Sequence, residues 1–218
     1  MKPWSIAHAN ARCDLPWSGV LTAGLVIFWL CQTAMCGEVL ADSPPLKVGD
    51  YWQFRMITEP GAVASEWSRK ITEITAASIR VQTQDGSAWE YDSAMNLIPA
   101  GRTEFARILA RYPLRVGAAW TFTKKFDSQL FEEHGKASVT AYESITVPAG
   151  TFECFRVEAE AYNSYKVNSE YRVWTRWYCP KVKWMAKERL MISINNPFNG
   201  GGNITTLNSE LIRFEAGE

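Results

Sequence analysis

The segment Pro45-Leu46-Lys47-Val48-Gly49-Asp50-Tyr51-Trp52-Gln53-Phe54 returns later in the chain as Pro113-Leu114-Arg115-Val116-Gly117-Ala118-Ala119-Trp120-Thr121-Phe122. In both copies Leu and Val lead up to a glycine, Gly49 or Gly117, that permits a tight bend. Trp52 and Phe54, like Trp120 and Phe122, lie two apart and so share one face of an extended strand. At the same spacing Ile71-Thr72 is answered by Val139-Thr140. Self-similarity at a fixed offset is a fold-level signal. It points to two β-meander halves, 46–112 and 114–218, each opened by the same strand lead-in and packed together.

Working outward, strand patterns bounded by turn residues recur throughout. They cover Tyr51–Ile57, Val63–Ile74, Ser78–Thr83, Ala88–Asp92, Ala119–Phe126, Ala137–Val147, Phe152–Tyr162, Glu170–Tyr178, Lys183–Ser193 and Ile204–Phe214. Asp85-Gly86, between two of them, is a strong hairpin signal. Short links require antiparallel neighbours, because parallel pairs need long crossovers. The expected fold is therefore all-β: a single antiparallel β-barrel or strongly curved half-barrel of about ten strands. One short helix is expected near 103–112, where Phe105, Ile108, Leu109 and Tyr112 keep helical spacing and Pro113 stops the run.

The beginning of the chain reads differently. Lys2 and Arg12 precede an apolar run from Val20 to Cys36, and Val39-Leu40-Ala41 places small residues where a signal peptidase cuts. The expected organisation is a signal peptide over 1–41 with the cut after Ala41, a linker over 42–46 and a β domain over 47–218. The destination is then periplasmic or secreted. An uncleaved membrane anchor is the weaker alternative, because a permanent span needs ~20 apolar residues. Acylation at Cys36 is weaker again, since Thr33-Ala34-Met35 is a poor lipobox.

Composition narrows the chemistry. Lysine plus arginine and aspartate plus glutamate number 23 each, so the formal net charge is zero. That gives no footprint for nucleic acid. His134 is the one histidine beyond the leader, too few for a zinc site with Cys154 and Cys179 at unmatched spacing. No G-x-S-x-G elbow accompanies it. Glu158 and Glu160 alternate with Val157, Ala159 and Ala161, which places them on the polar face of a strand rather than as a catalytic pair. Glu132-Glu133-His134 reads as a solvated loop. Gly200-Gly201-Gly202 lacks the residues of a phosphate cradle. No catalytic residue, metal or cofactor is expected.

Three short motifs carry a resemblance. The L-[KR]-V-G-x-x-W lead-in, then Val147-Pro148-Ala149-Gly150-Thr151-Phe152, then Trp177-Tyr178-Cys179-Pro180 leading to Lys187-Glu188 resemble a family of exported bacterial proteins that carry a domain of unknown function. The likeness runs over most of 46–193. It implies an antiparallel, barrel-like envelope protein and supplies no catalytic residues. The chain departs from the pattern after Pro180, where small residues such as Gly are expected and Lys181-Val182-Lys183-Trp184 stand. The Pro148–Phe152 motif has its own logic as a tight corner. Pro148 ends strand pairing, Gly150 allows a positive φ, and Phe152 restarts the strand facing the core.

Two features remain open at the level of sequence. A turn centred between Lys166 and Val167 pairs Cys154 with Cys179, close enough for a disulfide. The apolar face instead pairs Phe155 with Trp177 and Val157 with Thr175. That register is one residue away and puts the two cysteines on opposite faces. In this apolar-face register Arg172, Trp174 and Arg176 alternate on the polar face. With Trp177 and Tyr178 they make the candidate ligand-binding set, Trp174 exposed between two cations. The expected role is non-enzymatic, holding an apolar or amphipathic envelope ligand such as a lipid or glycan. The alternative is an interaction module that contacts another envelope protein through this face.

Overall fold

The computed structural model describes residues 39–58, 62–98, 106–125, 132–164, 169–196 and 201–218. The leader's apolar run lies outside them, as does Phe105. Residues 37–218 form one packed unit. Its strands, in chain order, are β1 (Leu40–Ala41), β2 (Tyr51–Thr58), β3 (Ala62–Ile74), β4 (Ile79–Thr83), β5 (Ala88–Tyr91), β6 (Leu97–Ile98) and β7 (Leu114–Arg115). They continue as β8 (Ala119–Lys125), β9 (Glu132–Val147), β10 (Gly150–Ser164), β11 (Ser169–Cys179), β12 (Trp184–Asn196) and β13 (Gly201–Glu215). Eleven form one antiparallel sheet in the order β6-β5-β4-β3-β2-β13-β12-β11-β10-β9-β8, and β1 pairs only with β7.

The sheet is thus two meanders, β2–β6 and β8–β13, joined where β13 lies beside β2. It is not a barrel: β6 and β8 are its two edges. It is nevertheless strongly curved. Side chains from β3, β5, β8, β11 and β12 line a single cavity, which strands so far apart in a flat sheet could not do.

The two lead-ins fold alike, bond for bond. Gly49 and Gly117 take φ of +94° and +88°. The Gly49 amide donates to the Ile71 carbonyl at 2.8 Å, and Gly117 to Val139 at 2.9 Å. Ile71 donates back to Asp50, and Val139 to Ala118, both at 2.9 Å. Trp52, Phe54, Trp120 and Phe122 are all buried. Each indole also finds a backbone carbonyl at 2.7 Å, Trp52 that of Val182 and Trp120 that of Ile108. Phe122 lies across from Gly135, where an added Cβ would come within 2.2 Å of its ring. Glycine there makes room for the aromatic.

The hairpins follow turn chemistry. Pro148 and Ala149 form the two-residue corner between β9 and β10, Gly150 takes φ +134°, and Phe152 is buried. At the β4–β5 turn Gly86 takes φ +83°. The Asp85 carboxylate there is held at a pKa of about 2, chiefly by hydrogen bonds from Thr83 and Ser87.

No helix forms over the described part of 103–112. Residues 106–111 are neither helix nor strand and act as a strap between the two edges of the sheet. Asn96 explains why. Its Oδ1 accepts from the Leu109 and Ala110 amides, and its Nδ2 donates to the Ala110 carbonyl, each at 2.8 Å. Backbone groups bonded to a buried side chain cannot also close helical turns. The apolar spacing is used all the same, because Ala106, Leu109 and Ala110 are buried. Asn96→Ala would strip the buried Ala110 amide and carbonyl of these partners, at ~1–3 kcal/mol for such a group, while the Leu109 amide keeps the Arg107 carbonyl. A loss of ~2 kcal/mol or more in urea unfolding is the expected outcome; an unchanged midpoint would show that the strap is held by other means.

The helical turn of the described residues is instead the 3₁₀ turn Pro180–Val182, followed by Lys183 at φ +60°. Lys183 lies in the stretch after Pro180 where small residues such as Gly are expected, and its left-handed φ is one that favours glycine. β1 sits just before the expected cut, and cleavage after Ala41 would remove its pairing with β7. Leu46, at the end of the expected linker, packs against the core.

Candidate ligand-binding cavity

The β10–β11 register decides which side chains face inward. It pairs Phe155 with Tyr178, Val157 with Arg176, Ala159 with Trp174 and Ala161 with Arg172. This is the register that brings the cysteines together, and Cys154 and Cys179 are joined by a disulfide. A thiol count under denaturing, non-reducing conditions is expected to find neither of them free; two free thiols in the mature chain would remove the bond.

The same register corrects the expected surface patch. Trp174 is 3% exposed, and it shares the inward face with Val157 and Ala159. Arg176 also points inward, while Trp177 lies on the opposite face and donates to Glu143 at 2.8 Å. Tyr178 is buried, with the Arg176 guanidinium 3.4 Å from its hydroxyl. Burial, above all, raises the Tyr178 pKa. Arg172 is ion-paired to Glu170 beside it on β11. The five residues chosen from sequence therefore do not form one exposed site. Two of them, Trp174 and Arg176, line a partly open cavity of about 250 Å³.

That cavity is walled by both halves of the sheet and by the strap. β3 supplies Trp67 and Arg69, β5 Tyr91, β8 Lys124, and β12 Trp184, Met185 and Glu188; Arg107 and Leu109 come from the strap. Aromatic rings pack around it. The Trp184 ring meets those of Trp67 and Tyr91 edge-on, both at 6.2 Å between centroids. The Arg69 guanidinium lies 4.9 Å from the centre of the Trp67 ring, and that of Arg107 5.5 Å from the Trp174 ring. Such contacts attract a cation to the negative face of the ring.

Two of the cavity arginines hold carboxylates. Arg107 grips Glu133 with two hydrogen bonds, one of them at 2.7 Å, and Glu133 is 1% exposed. The expectation that Glu132-Glu133-His134 forms a solvated loop thus fails for Glu133, because β9 begins at Glu132 and turns alternate residues inward. His134, by contrast, is 68% exposed. Arg176 is bonded to Glu188, its direct cross-strand partner on β12. Burial works against the Arg176 charge, and Glu188 with Tyr178 more than restores it, so its pKa is raised. On the outer face Glu160 takes a Lys136 ammonium and the Tyr171 hydroxyl, which lowers its pKa.

Lys124 loses its proton unusually early. Burial first, then Arg107, lower its pKa to about 8, against the opposing pull of Glu133. Its unfolded value is ~10.4, so between pH ~8 and ~10 the unfolded chain holds more protons at this site than the folded one. Stability from this group therefore rises with pH across that window. Above pH ~10 the raised pKa values of Tyr171 and Tyr178 act in the opposite sense. Lys124→Met is expected to flatten the rise in urea midpoint across the same window; an unaltered rise would assign it to another group.

Sequence reasoning did not single out Arg69, Arg107 or Lys124. One signal was present: Arg69 lies two residues from Ile71 and two from Trp67, in line with core-facing positions. Among the described residues there is no group of three or more potential metal ligands, and no helix long and apolar enough to cross a membrane.

Fold and site together define the class: an open, curled antiparallel sheet whose strap completes an aromatic and cationic cavity. No protein-family model and no curated protein match the chain. Among solved structures, it is similar to a Bacteroides fragilis protein assigned as exported, with a YmcC-like fold. That likeness has 11% identity over 80% of this chain and 99% of the other, at a TM-score of 0.42. A protein from Parabacteroides distasonis, assigned as a lipoprotein, is 14% identical over 82% and 100%, at 0.43. The hypothetical lipoprotein YmcC of Escherichia coli is 11% identical over 77% and 86%, at 0.41.

Proposed function

We propose that this protein is an exported, non-enzymatic binding module that holds a small amphipathic ligand in the cavity between its two halves. The observation that carries this is the cavity wall itself: Trp67, Tyr91, Trp174 and Trp184 supply flat apolar surface, and four cations stand among them. Ligand sites combine this sort of lining with a few placed polar groups. At about 250 Å³ the space suits a compact molecule or a headgroup rather than a pair of acyl chains. Arginines keep their protons at any ordinary pH, which suits holding a ligand rather than acid–base turnover. The exposed-face alternative built on Arg172, Trp174 and Arg176 loses its footing, because Trp174 is buried.

Export is supported by the leader pattern and by the Cys154–Cys179 disulfide, a bond typical of oxidising compartments. The protein, expressed with its own leader and purified from the envelope fraction, would be analysed by native mass spectrometry and solvent extraction. A stoichiometric small-molecule adduct, lost on denaturation, is the expected result. Protein that stays in the cytoplasm, or that carries no adduct and binds none from an envelope extract, would refute the proposal.

A further inference from the structure

We infer that the cavity takes an oxyanion, a carboxylate or phosphate carried on a planar or apolar body, gripped by Arg69 and the indole N–H of Trp184. This rests on the cavity being a ligand site, and it adds the ligand's charge and the atoms that read it.

Two independent features point the same way. The first is Arg69. Its Nε donates to the Tyr91 hydroxyl at 3.3 Å and its Nη1 to the Ser68 carbonyl at 2.9 Å, both neutral acceptors. The other two cavity arginines each have a carboxylate, Glu133 for Arg107 and Glu188 for Arg176. None of the ion pairs among the described residues includes Arg69. A guanidinium has five N–H donors in a planar fork that matches carboxylate or phosphate, so part of its capacity stands ready for an anion. The second feature is Trp184. It is 4% exposed, and its Nε1 is buried without a hydrogen-bond partner among the described residues. The indoles of Trp52, Trp120 and Trp177, by contrast, each find an acceptor. A buried donor left unpaired is costly, and an acceptor oxygen brought by a ligand would relieve it. The Trp67 ring adjoins both groups, 4.9 Å from the Arg69 guanidinium and 6.2 Å from the Trp184 ring. With Tyr91 it borders the space that the ligand's body would fill. A volume of about 250 Å³ corresponds to roughly eight waters at ~30 Å³ each, enough for one small ring and its anionic group.

The test uses the full mature chain. Binding of phenyl phosphate, benzoate and neutral benzyl alcohol is followed by tryptophan fluorescence and calorimetry. Vesicles of phosphatidylglycerol and of phosphatidylcholine form a second arm. At least one soluble anion is expected to bind ten-fold or more tighter than benzyl alcohol, or phosphatidylglycerol vesicles ten-fold or more tighter than phosphatidylcholine. The arm that responds tells a free anion from a lipid headgroup. Arg69→Gln should lose ten-fold or more, and Arg69→Lys less. Trp184→Phe removes the donor together with part of a buried ring, so it should weaken binding several-fold at some cost in melting temperature; binding undiminished by it would remove Trp184 from the site. If neutral and anionic probes bind equally and Arg69→Gln changes nothing, the oxyanion inference falls while the cavity remains a ligand site. If no probe binds and the envelope-purified protein carries no adduct, both fall.

Discussion

Replacing Asp50 by alanine is expected to destabilise the protein by ~3–5 kcal/mol, the range for stripping one partner from a buried ion pair. Asp50 is 0% exposed and fastens three separate pieces of chain. Its carboxylate accepts from the Lys47 amide at 2.9 Å, in the bend before β2, and from the Gly217 amide at 2.7 Å, near the C-terminus. It also takes the Lys183 ammonium at 2.9 and 3.1 Å, after the 3₁₀ turn. Without it, Lys183 is left as a largely buried charge on a residue already held at φ +60°, a conformation that favours glycine. Asp50→Ala with Lys183→Met should recover part of the loss, because no charge is then stranded; a double-mutant cycle in urea reads the coupling. An Asp50→Ala loss below ~1 kcal/mol, well short of that range, would mean that the three contacts do not hold the fold. The matching position of the second lead-in is Ala118, which has no carboxylate.

The other large effect is expected at Trp174. Removing a buried tryptophan side chain costs ~3–5 kcal/mol, by lost transfer energy and by the void that remains. The void should persist on the β10 side, because the residues there are too small to collapse into it. Ala159 is its direct partner, and Ala137 stands across from Ala159. The Arg107 contact on the ring face would go as well. Trp174→Ala is therefore expected to lower the urea midpoint strongly, whether or not a ligand is present. Unchanged stability with lost binding would instead restore an exposed binding residue.

The two outcomes turn on how a β sequence is read. Period-two alternation tells that two sets of side chains face opposite ways. It does not tell which set faces the core when both contain tryptophan. In β11 one set is Arg172, Trp174, Arg176 and Tyr178, and the other is Tyr171, Val173, Thr175 and Trp177. By composition alone, the Tyr171 set is the better partner for Val157 and Ala159. The structure uses the Arg172 set, and the two cysteines, which the alternative register separates, are thereby joined. Arg176, which sequence places toward solvent, is accommodated inside by a carboxylate from another strand, Glu188. A pattern within one strand cannot contain that information.

By itself, the sequence determined the antiparallel β character, the ten longer strands to within a few residues, the corners at Asp85-Gly86 and Pro148–Gly150, and the doubled lead-in. Each of these rests on local propensity, on turn residues or on repetition, all legible within about ten residues of chain. Only the tertiary structure decided the open edges, the irregular strap where helical spacing suggested a helix, the inward face of β11, and the cavity. Each of these depends on partners distant in sequence. Asn96 competes for the backbone of 109–110, a one-residue register sets what Val157 and Ala159 meet, and the curl of the sheet brings Arg69 and Trp184 to one space.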